Sequence, residues 1–155
     1  MAKANYILSA FADEASASFP EQLEALREAG IDRIEIRGVD GTNVSALTDE
    51  KAREVRRMLD GAGVGISAIG SPFGKIVVNE GFAEHLEALK RSMEQAKILG
   101  ANTFRMFSFY LPKGEDIAAY RQQVIDQLGA MLDAADAQDM RAALALLGVT
   151  EESEV

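Results

Sequence analysis

One unit of sequence repeats four times along this chain of 155 residues: a short β-like run, a loop, and an amphipathic helix, which in the first three units stops at glycine. The four runs, at 6–11, 31–37, 64–69 and 102–107, begin on average about 32 residues apart, which is the length of a βα unit. Strands that alternate with helices pair in parallel, because each helix returns the chain to the starting end of the sheet. The sequence therefore predicts an α/β fold of four βα units.

Two architectures accommodate such units, and the strand patterns separate them. A doubly wound open sheet is complete at this length, whereas an eight-unit barrel needs roughly 250 residues. In the open sheet, helices cover both faces of a central strand, so both faces are apolar. Here Ile34 and Ile36 alternate with Glu35 and Arg37, and Arg105 interrupts the fourth run in the same way. One apolar and one charged face favour four parallel strands forming a partial (half) TIM-type barrel with a polar lumen.

Charge and composition exclude several classes of protein. The chain carries 25 acidic residues against 16 Lys and Arg, a formal net charge of −9, whereas nucleic-acid binders need an excess of basic groups. It has no Cys and a single His, His85, which we expect to be a surface histidine. No apolar run approaches the about 20 residues of a membrane span, and the first residues lack a secretory signal. We therefore expect a cytoplasmic protein with neither nucleic acid nor membrane as a partner.

Four segments stand at the ends of successive predicted strands and carry a family resemblance. They are Ser9-Ala-Phe-Ala-Asp-Glu14, Ile34-Glu-Ile-Arg-Gly-Val-Asp-Gly-Thr-Asn-Val44, Ile66-Ser-Ala-Ile-Gly-Ser-Pro-Phe-Gly-Lys-Ile76 and Arg105-Met-Phe-Ser-Phe-Tyr110. In this order they resemble the sugar phosphate isomerase/epimerase family, the xylose-isomerase-like TIM barrels. The resemblance implies a (β/α)₈ barrel and metal-assisted proton transfer next to a sugar carbonyl. In the complete family barrel a divalent metal (Mn, Mg, Zn or Co) polarises the oxygens, and carboxylates serve as acid and base.

The resemblance also implies that this chain holds only the N-terminal half of such a barrel. In the family, the metal-binding acids and His come from the later strands, beginning with a Glu at the end of the fifth. At that point this chain reads Met140-Arg-Ala-Ala-Leu-Ala-Leu-Leu-Gly148, which contains no acid and whose Ala and Leu favour a helix. We expect residues 1–138 to form the half-barrel and residues 139–155 a divergent C-terminal helix and acidic tail, as in a truncated gene product. No metal or other cofactor is expected in this chain.

The candidate site lies where the strands end, because active sites of this fold occupy the carboxyl ends of the strands. Glu35, Arg37 and Arg105 lie on the lumen face, and an ion pair among them or a contact with a sugar are equally open interpretations. Lys75, in the loop after the third strand, is implied by the resemblance to offer a cation to a phosphate or carboxylate. No catalytic residue is assigned. The predicted substrate-binding residues are Glu35, Arg37, Ser71, Lys75, Arg105 and Ser108.

Two functions remain open at this point. The first is a sugar or sugar-phosphate isomerase/epimerase-family protein that binds a small-molecule sugar, with this chain inactive by itself because the metal acids are missing. The alternative is a non-catalytic half-barrel that self-associates or pairs with another chain. Unpaired strand edges favour such pairing, so we expect a homodimer or larger assembly. The abasic-site endonucleases of the same barrel class are disfavoured by the negative charge.

Overall fold

Residues 6–144 are described by the computed structural model, and they build one parallel sheet covered by helices. The strands of this sheet are β1 (Arg33–Ile36), β2 (Gly65–Gly70), β3 (Thr103–Met106) and β4 (Arg141–Leu144). They lie in the order β1-β2-β3-β4, and every pair of neighbours is parallel. A doubly wound sheet reverses its strand order at a switch point, so this unbroken order confirms the wall of a partial barrel.

Helices follow the strands as the repeat predicts. They are α1 (Phe19–Ala29), α2 (Asp49–Ala62), α3 (Phe82–Leu99) and α4 (Ile117–Asp136). Two 3₁₀ turns, Ala12–Glu14 and Val44–Ala46, and a small antiparallel hairpin of Gly38–Val39 with Thr42–Asn43 complete the secondary structure described. None of these helices has the length and apolar character needed to cross a membrane.

The pleat of the strands sorts side chains between the core and the lumen as predicted. Ile34, Ile36, Phe104 and Met106 are all buried and belong to one apolar cluster with residues of the four helices. Glu35, between the two isoleucines, is only partly buried on the other face. The helices contribute mainly aliphatic side chains to this cluster: Leu23, Leu26, Ala52, Val55, Leu59, Leu89, Met93, Ala96 and Met131.

The predicted first strand, 6–11, is reduced to a single parallel bridge. Ala10 pairs with Ile34, and the Glu35 N–H donates to the Ala10 carbonyl over 3.0 Å. Tyr6, Ile7 and Leu8 remain 81%, 76% and 66% exposed. Within the described residues this segment has a neighbouring strand only on the β1 side. A longer strand would therefore bury little additional apolar surface and could form backbone hydrogen bonds on one side only.

The predicted helix within 139–155 is wrong where the chain is described, because Arg141–Leu144 is the strand β4. It pairs residue by residue with β3, and the Arg141 N–H donates to the Asn102 carbonyl over 2.7 Å. Ala and Leu do favour helices, but propensity is a weak term that an available ladder along β3 overrides. The predicted acidic tail lies outside the described residues, and the domain boundary at 138 stays a prediction.

Helix α1 begins with a cap that the sequence does not reveal. Ser18 and Glu21 have the spacing of a capping box, but the Ser18 side chain makes no cap hydrogen bond. Instead Asp40, in the loop after β1, accepts from the Phe19 N–H over 2.8 Å. The hydrogen bond from Lys51, followed by the one from Phe19, lowers the pKa of Asp40. The loop after β1 is thereby tied to the start of α1.

The loop after β2 is fixed against the chain that follows β3. The Phe107 N–H donates to the Phe73 carbonyl over 2.8 Å, and the Phe109 N–H donates to the Gly74 carbonyl over 2.9 Å. Gly74 has a φ of +89°, and a Cβ there would lie 1.9 Å from the Phe107 carbonyl oxygen. Only glycine fits this close approach, which holds the loop at the carboxyl end of the sheet.

We expect Gly74→Ala to destabilise the fold by about 3 kcal/mol or more, since a left-handed φ costs roughly 1–2 kcal/mol and the clash with Phe107 adds to it. Gly30→Ala is the matched control, because Gly30 also has a positive φ (+68°) but nothing lies within 4 Å of its missing Cβ. Urea unfolding of both variants measures the difference. Equal losses would show that the contact with Phe107 does not constrain the loop.

Candidate functional site

Three cationic side chains and two phenylalanine rings form a connected group at the carboxyl ends of the strands. The guanidinium carbons of Arg37 and Arg105 lie 4.9 and 5.1 Å from the centre of the Phe11 ring. The Phe107 ring has Arg105 at 4.9 Å and the Lys75 ammonium at 4.5 Å. These are cation–π contacts, and we call the five residues the cation–aromatic cluster.

The fold brings the cluster together from four places in the sequence. Phe11 follows the Ala10 bridge and Arg37 directly follows β1, while Arg105 lies in β3 and Lys75 in the loop after β2. Parallel strands end at the same edge of a sheet, so residues distant in sequence meet there. The structure thus brings together Arg37, Lys75 and Arg105 from the predicted set, with Glu35 beside them. Their role in binding a substrate stays a prediction.

Glu35 and Arg105 form an ion pair across β2. Their side chains are 22% and 20% exposed, and the Arg105 Nε donates to the Glu35 Oε1 over 2.5 Å. The absence of a side chain at Gly70 leaves room for this arginine, since a Cβ there would lie 3.1 Å from its Nη2. Of the two interpretations open for these charges, the ion pair therefore holds for Glu35 and Arg105.

Arg37 is paired with acids that the sequence did not single out for this role. Its Nε donates to the Asp13 Oδ2 over 2.7 Å, and its Nη2 donates to the Glu14 Oε1 over 3.4 Å. The hydrogen bond that Arg37 donates to Asp13 is the largest cause of the raised pKa of Arg37. Asp13 and Glu14 lie in the 3₁₀ turn after Ala10, and their position just after a strand is the one sequence signal that could have found them.

Lys75 is the cation of the cluster that has no acid beside it. It is exposed, and it makes no ion pair with any residue in the range 6–144. Within the same range, the guanidinium of Arg105 uses only its Nε for a hydrogen bond, so the Nη groups keep unused donors. The part of the cluster around Phe107 can therefore accept an anion from solution, although the whole chain is acidic.

The two predicted serines differ in their surroundings. Ser71 is only 2% exposed, and its hydroxyl donates to the Arg105 carbonyl over 2.5 Å while it accepts from the Phe73 N–H over 3.3 Å. It holds the backbone that carries Arg105 and Lys75. Ser108 is partly buried, and its hydroxyl has no hydrogen bond among the described residues, so it keeps its capacity to bind.

No three carboxylate or imidazole side chains converge on one point within residues 6–144. Glu35, Asp13 and Glu14 already serve as partners of arginines. His85 is half-buried rather than a surface residue, and its Nε2 accepts from the Gly74 N–H over 2.8 Å. The described residues therefore do not fit the divalent metal that the family implies, and no step of chemistry is derived through one.

Comparison with known proteins agrees with this geometry. A sequence model described as "Xylose isomerase-like TIM barrel" matches residues 23–149. The chain belongs to this family. Among curated proteins no significant match is found.

Solved structures with the same architecture cover most of the described chain. A fusion protein of a xylose isomerase-like TIM barrel and 4-hydroxyphenylpyruvate dioxygenase superposes with a TM-score of 0.69 at 23% identity, over 91% of this chain and 22% of its own. D-psicose 3-epimerase in the presence of D-fructose superposes with a TM-score of 0.64 at 18% identity, over 83% of this chain and 47% of its own. A xylose isomerase-like TIM barrel protein from Mycobacterium smegmatis in complex with magnesium superposes with a TM-score of 0.61 at 24% identity, over 92% of this chain and 50% of its own. At these identities the likeness shows the fold, and the chain spans half or less of these three structures.

We expect Arg105→Leu to cost about 1–3 kcal/mol of folding free energy, because it leaves the partly buried Glu35 carboxylate without its partner. Adding Glu35→Leu to that variant should restore part of the loss, since the unpaired charge is then removed as well. Arg91→Leu, on the exposed face of α3, is the control and should change stability by less than about 0.5 kcal/mol. Urea unfolding of the single and double variants gives the coupling, and a value near zero would contradict the pairing.

Proposed function

We propose that the carboxyl end of this sheet binds a small polyhydroxylated molecule with one anionic group, such as a sugar acid or a sugar phosphate. The observation that carries the proposal is that Lys75 and Arg105 share the Phe107 ring while Lys75 has no acid partner within residues 6–144. Nitrogen donors of this kind recognise carboxylate and phosphate oxygens through charge-assisted hydrogen bonds. Carbohydrate metabolism in the cytoplasm is the setting that we propose for this binding.

Other groups of the site suit the hydroxyls of such a ligand. Glu35 uses its Oε1 for Arg105, and a carboxylate has further lone pairs with which to accept a hydrogen bond from a sugar hydroxyl. The free hydroxyl of Ser108 can donate or accept. The epimerase named among the structural neighbours was crystallised in the presence of D-fructose, which supports a sugar as the ligand class.

The reaction proposed for the complete family barrel is isomerisation or epimerisation by metal-assisted proton transfer next to a sugar carbonyl. Residues 6–144 assemble no ligand set for the metal. The contribution proposed for this part of the chain is therefore to hold and orient the sugar. Magnesium in one structural neighbour supports the metal dependence of the complete barrel.

We expect the chain to bind D-glucose 6-phosphate more tightly than D-glucose. Lys75→Met should lower the affinity for D-glucose 6-phosphate by about tenfold, or about 1.4 kcal/mol. Lys90→Met is the matched control, because Lys90 lies on α3, where it pairs with Glu87. Isothermal titration calorimetry at low salt measures both. The proposal fails if the two sugars bind equally, or if the two variants lose affinity to the same extent.

The second candidate function, self-association, is favoured by the two open edges of the sheet. At one edge Tyr6, Ile7 and Leu8 are largely exposed, and at the other β4 has a strand neighbour only in β3 among the described residues. A two-fold axis along the barrel would place β4 of one copy beside the first segment of the other and keep all strands parallel. We therefore also propose that two copies close one ring.

For self-association we expect analytical ultracentrifugation to show a dimer at tens of micromolar. Ile7→Lys should shift it towards the monomer, because a charge on an edge strand opposes pairing. Ala83→Lys adds the same charge at an exposed position of α3 and should leave the dimer intact. A wild-type chain that sediments as a compact monomer would exclude this candidate without affecting the binding of sugars.

A further inference from the structure

We infer that His85 is a positioning residue of the anion site: its neutral imidazole holds the loop that presents Lys75 beside the Phe107 ring. The inference rests on the proposed function, because it concerns the same site. His85 is the single histidine of the chain and lies on α3, outside the cation–aromatic cluster. It would act on the ligand only through the loop.

The contact between His85 and the loop is direct and partly shielded from solvent. The Gly74 N–H donates to His85 Nε2 over 2.8 Å, and the ring stands edge-on to Phe73 with centroids 5.2 Å apart. Phe73 and Gly74 are buried, and the imidazole is half-buried. Loss of the acceptor would leave the Gly74 N–H unpaired in a buried position, which is costly.

The other contacts of the loop explain why this hydrogen bond reaches Lys75. The carbonyls of Phe73 and Gly74 are held by N–H groups of Phe107 and Phe109, and the Lys75 N–H donates to the Pro72 carbonyl over 3.0 Å. These bonds fix the side of the loop that faces the end of β3. His85 accepts from the N–H of Gly74, the residue directly before Lys75. The backbone at Lys75 is therefore held both by these bonds and by His85.

Only the neutral form of His85 can accept this hydrogen bond, because both nitrogens of an imidazolium are donors. Burial lowers the pKa of His85 from its ordinary value of about 6.5. The charged residues nearest to His85 in sequence are Glu84 and Glu87 on α3, and Lys75 is the cation of the loop. Neither these three nor any charge on α2 or α4 adds to the shift, which burial alone causes. Because the folded-state pKa is lowered, the stabilisation is complete above about pH 6.5 and is lost as the pH falls through that value towards the folded-state pKa.

The test uses D-gluconate as the probe, because its carboxylate keeps the same charge between pH 5.5 and 7.5. Calorimetry on the wild-type chain between pH 7.5 and pH 5.5 should show affinity that weakens below pH 6.5, as the neutral fraction of His85 falls. In His85→Gln the amide oxygen can accept from the Gly74 N–H at both pH values. The affinity of this variant for D-gluconate should therefore match the wild type at pH 7.5 and should not fall at pH 5.5. His85→Leu, checked for folding by circular dichroism, should bind weakly at both.

Two results would overturn the inference: a His85→Gln variant with the same pH dependence as the wild type, or a folded His85→Leu variant that binds normally at pH 7.5. Hydrogen exchange of the Gly74 amide separates this inference from the proposed function. In the wild type, after correction for the intrinsic exchange rate, protection of this amide should fall on acidification, and in His85→Gln it should not. If neither D-gluconate nor D-glucose 6-phosphate binds, the proposed function fails, and the exchange result alone decides whether His85 holds the loop.

Discussion

Burial of the isoleucines of β1 beneath the helices determines where the charges of this protein can lie. Successive side chains of a strand point to opposite faces, so packing Ile34 and Ile36 into the core puts Glu35 on the lumen face. The same alternation around Phe104 and Met106 places Arg105 there. The Glu35–Arg105 pair therefore follows from the hydrophobic pattern. A register slip of one residue in β1 would bury Glu35, and the same slip in β3 would bury Arg105.

The chemistry of the lumen face depends on how its positive charges are compensated. Arg105 is paired with Glu35, and Arg37 with Asp13 and Glu14. Phe11 and Phe107 link these cations through their ring faces, where a guanidinium or ammonium is stabilised without an acid. Lys75 is stabilised in this second way only, within the described residues. The local balance at Phe107 is thus positive in a chain whose net charge is −9.

The hydrogen-bonded loop after β2 links the core to the positively charged group around Phe107. Its backbone is hydrogen-bonded to the continuation of β3 on one side and to His85 of α3 on the other. Gly74 permits the close approach that these bonds need. A helix that packs against the outer face of the sheet can therefore influence a cation on the lumen side, through backbone bonds rather than through a direct contact.

The sequence by itself determined the four-unit repeat, the faces of β1 and β3, and the end of the sheet at which Arg37, Lys75 and Arg105 meet. Each of these follows from a local period or from the position of a residue relative to a strand. Only the tertiary structure decided that Arg141–Leu144 is a strand, that Asp40 caps α1, and that His85 holds Gly74. These depend on partners 11–38 residues away in the chain, and hydrogen bonding to such a partner outweighs the local preference that a sequence pattern records.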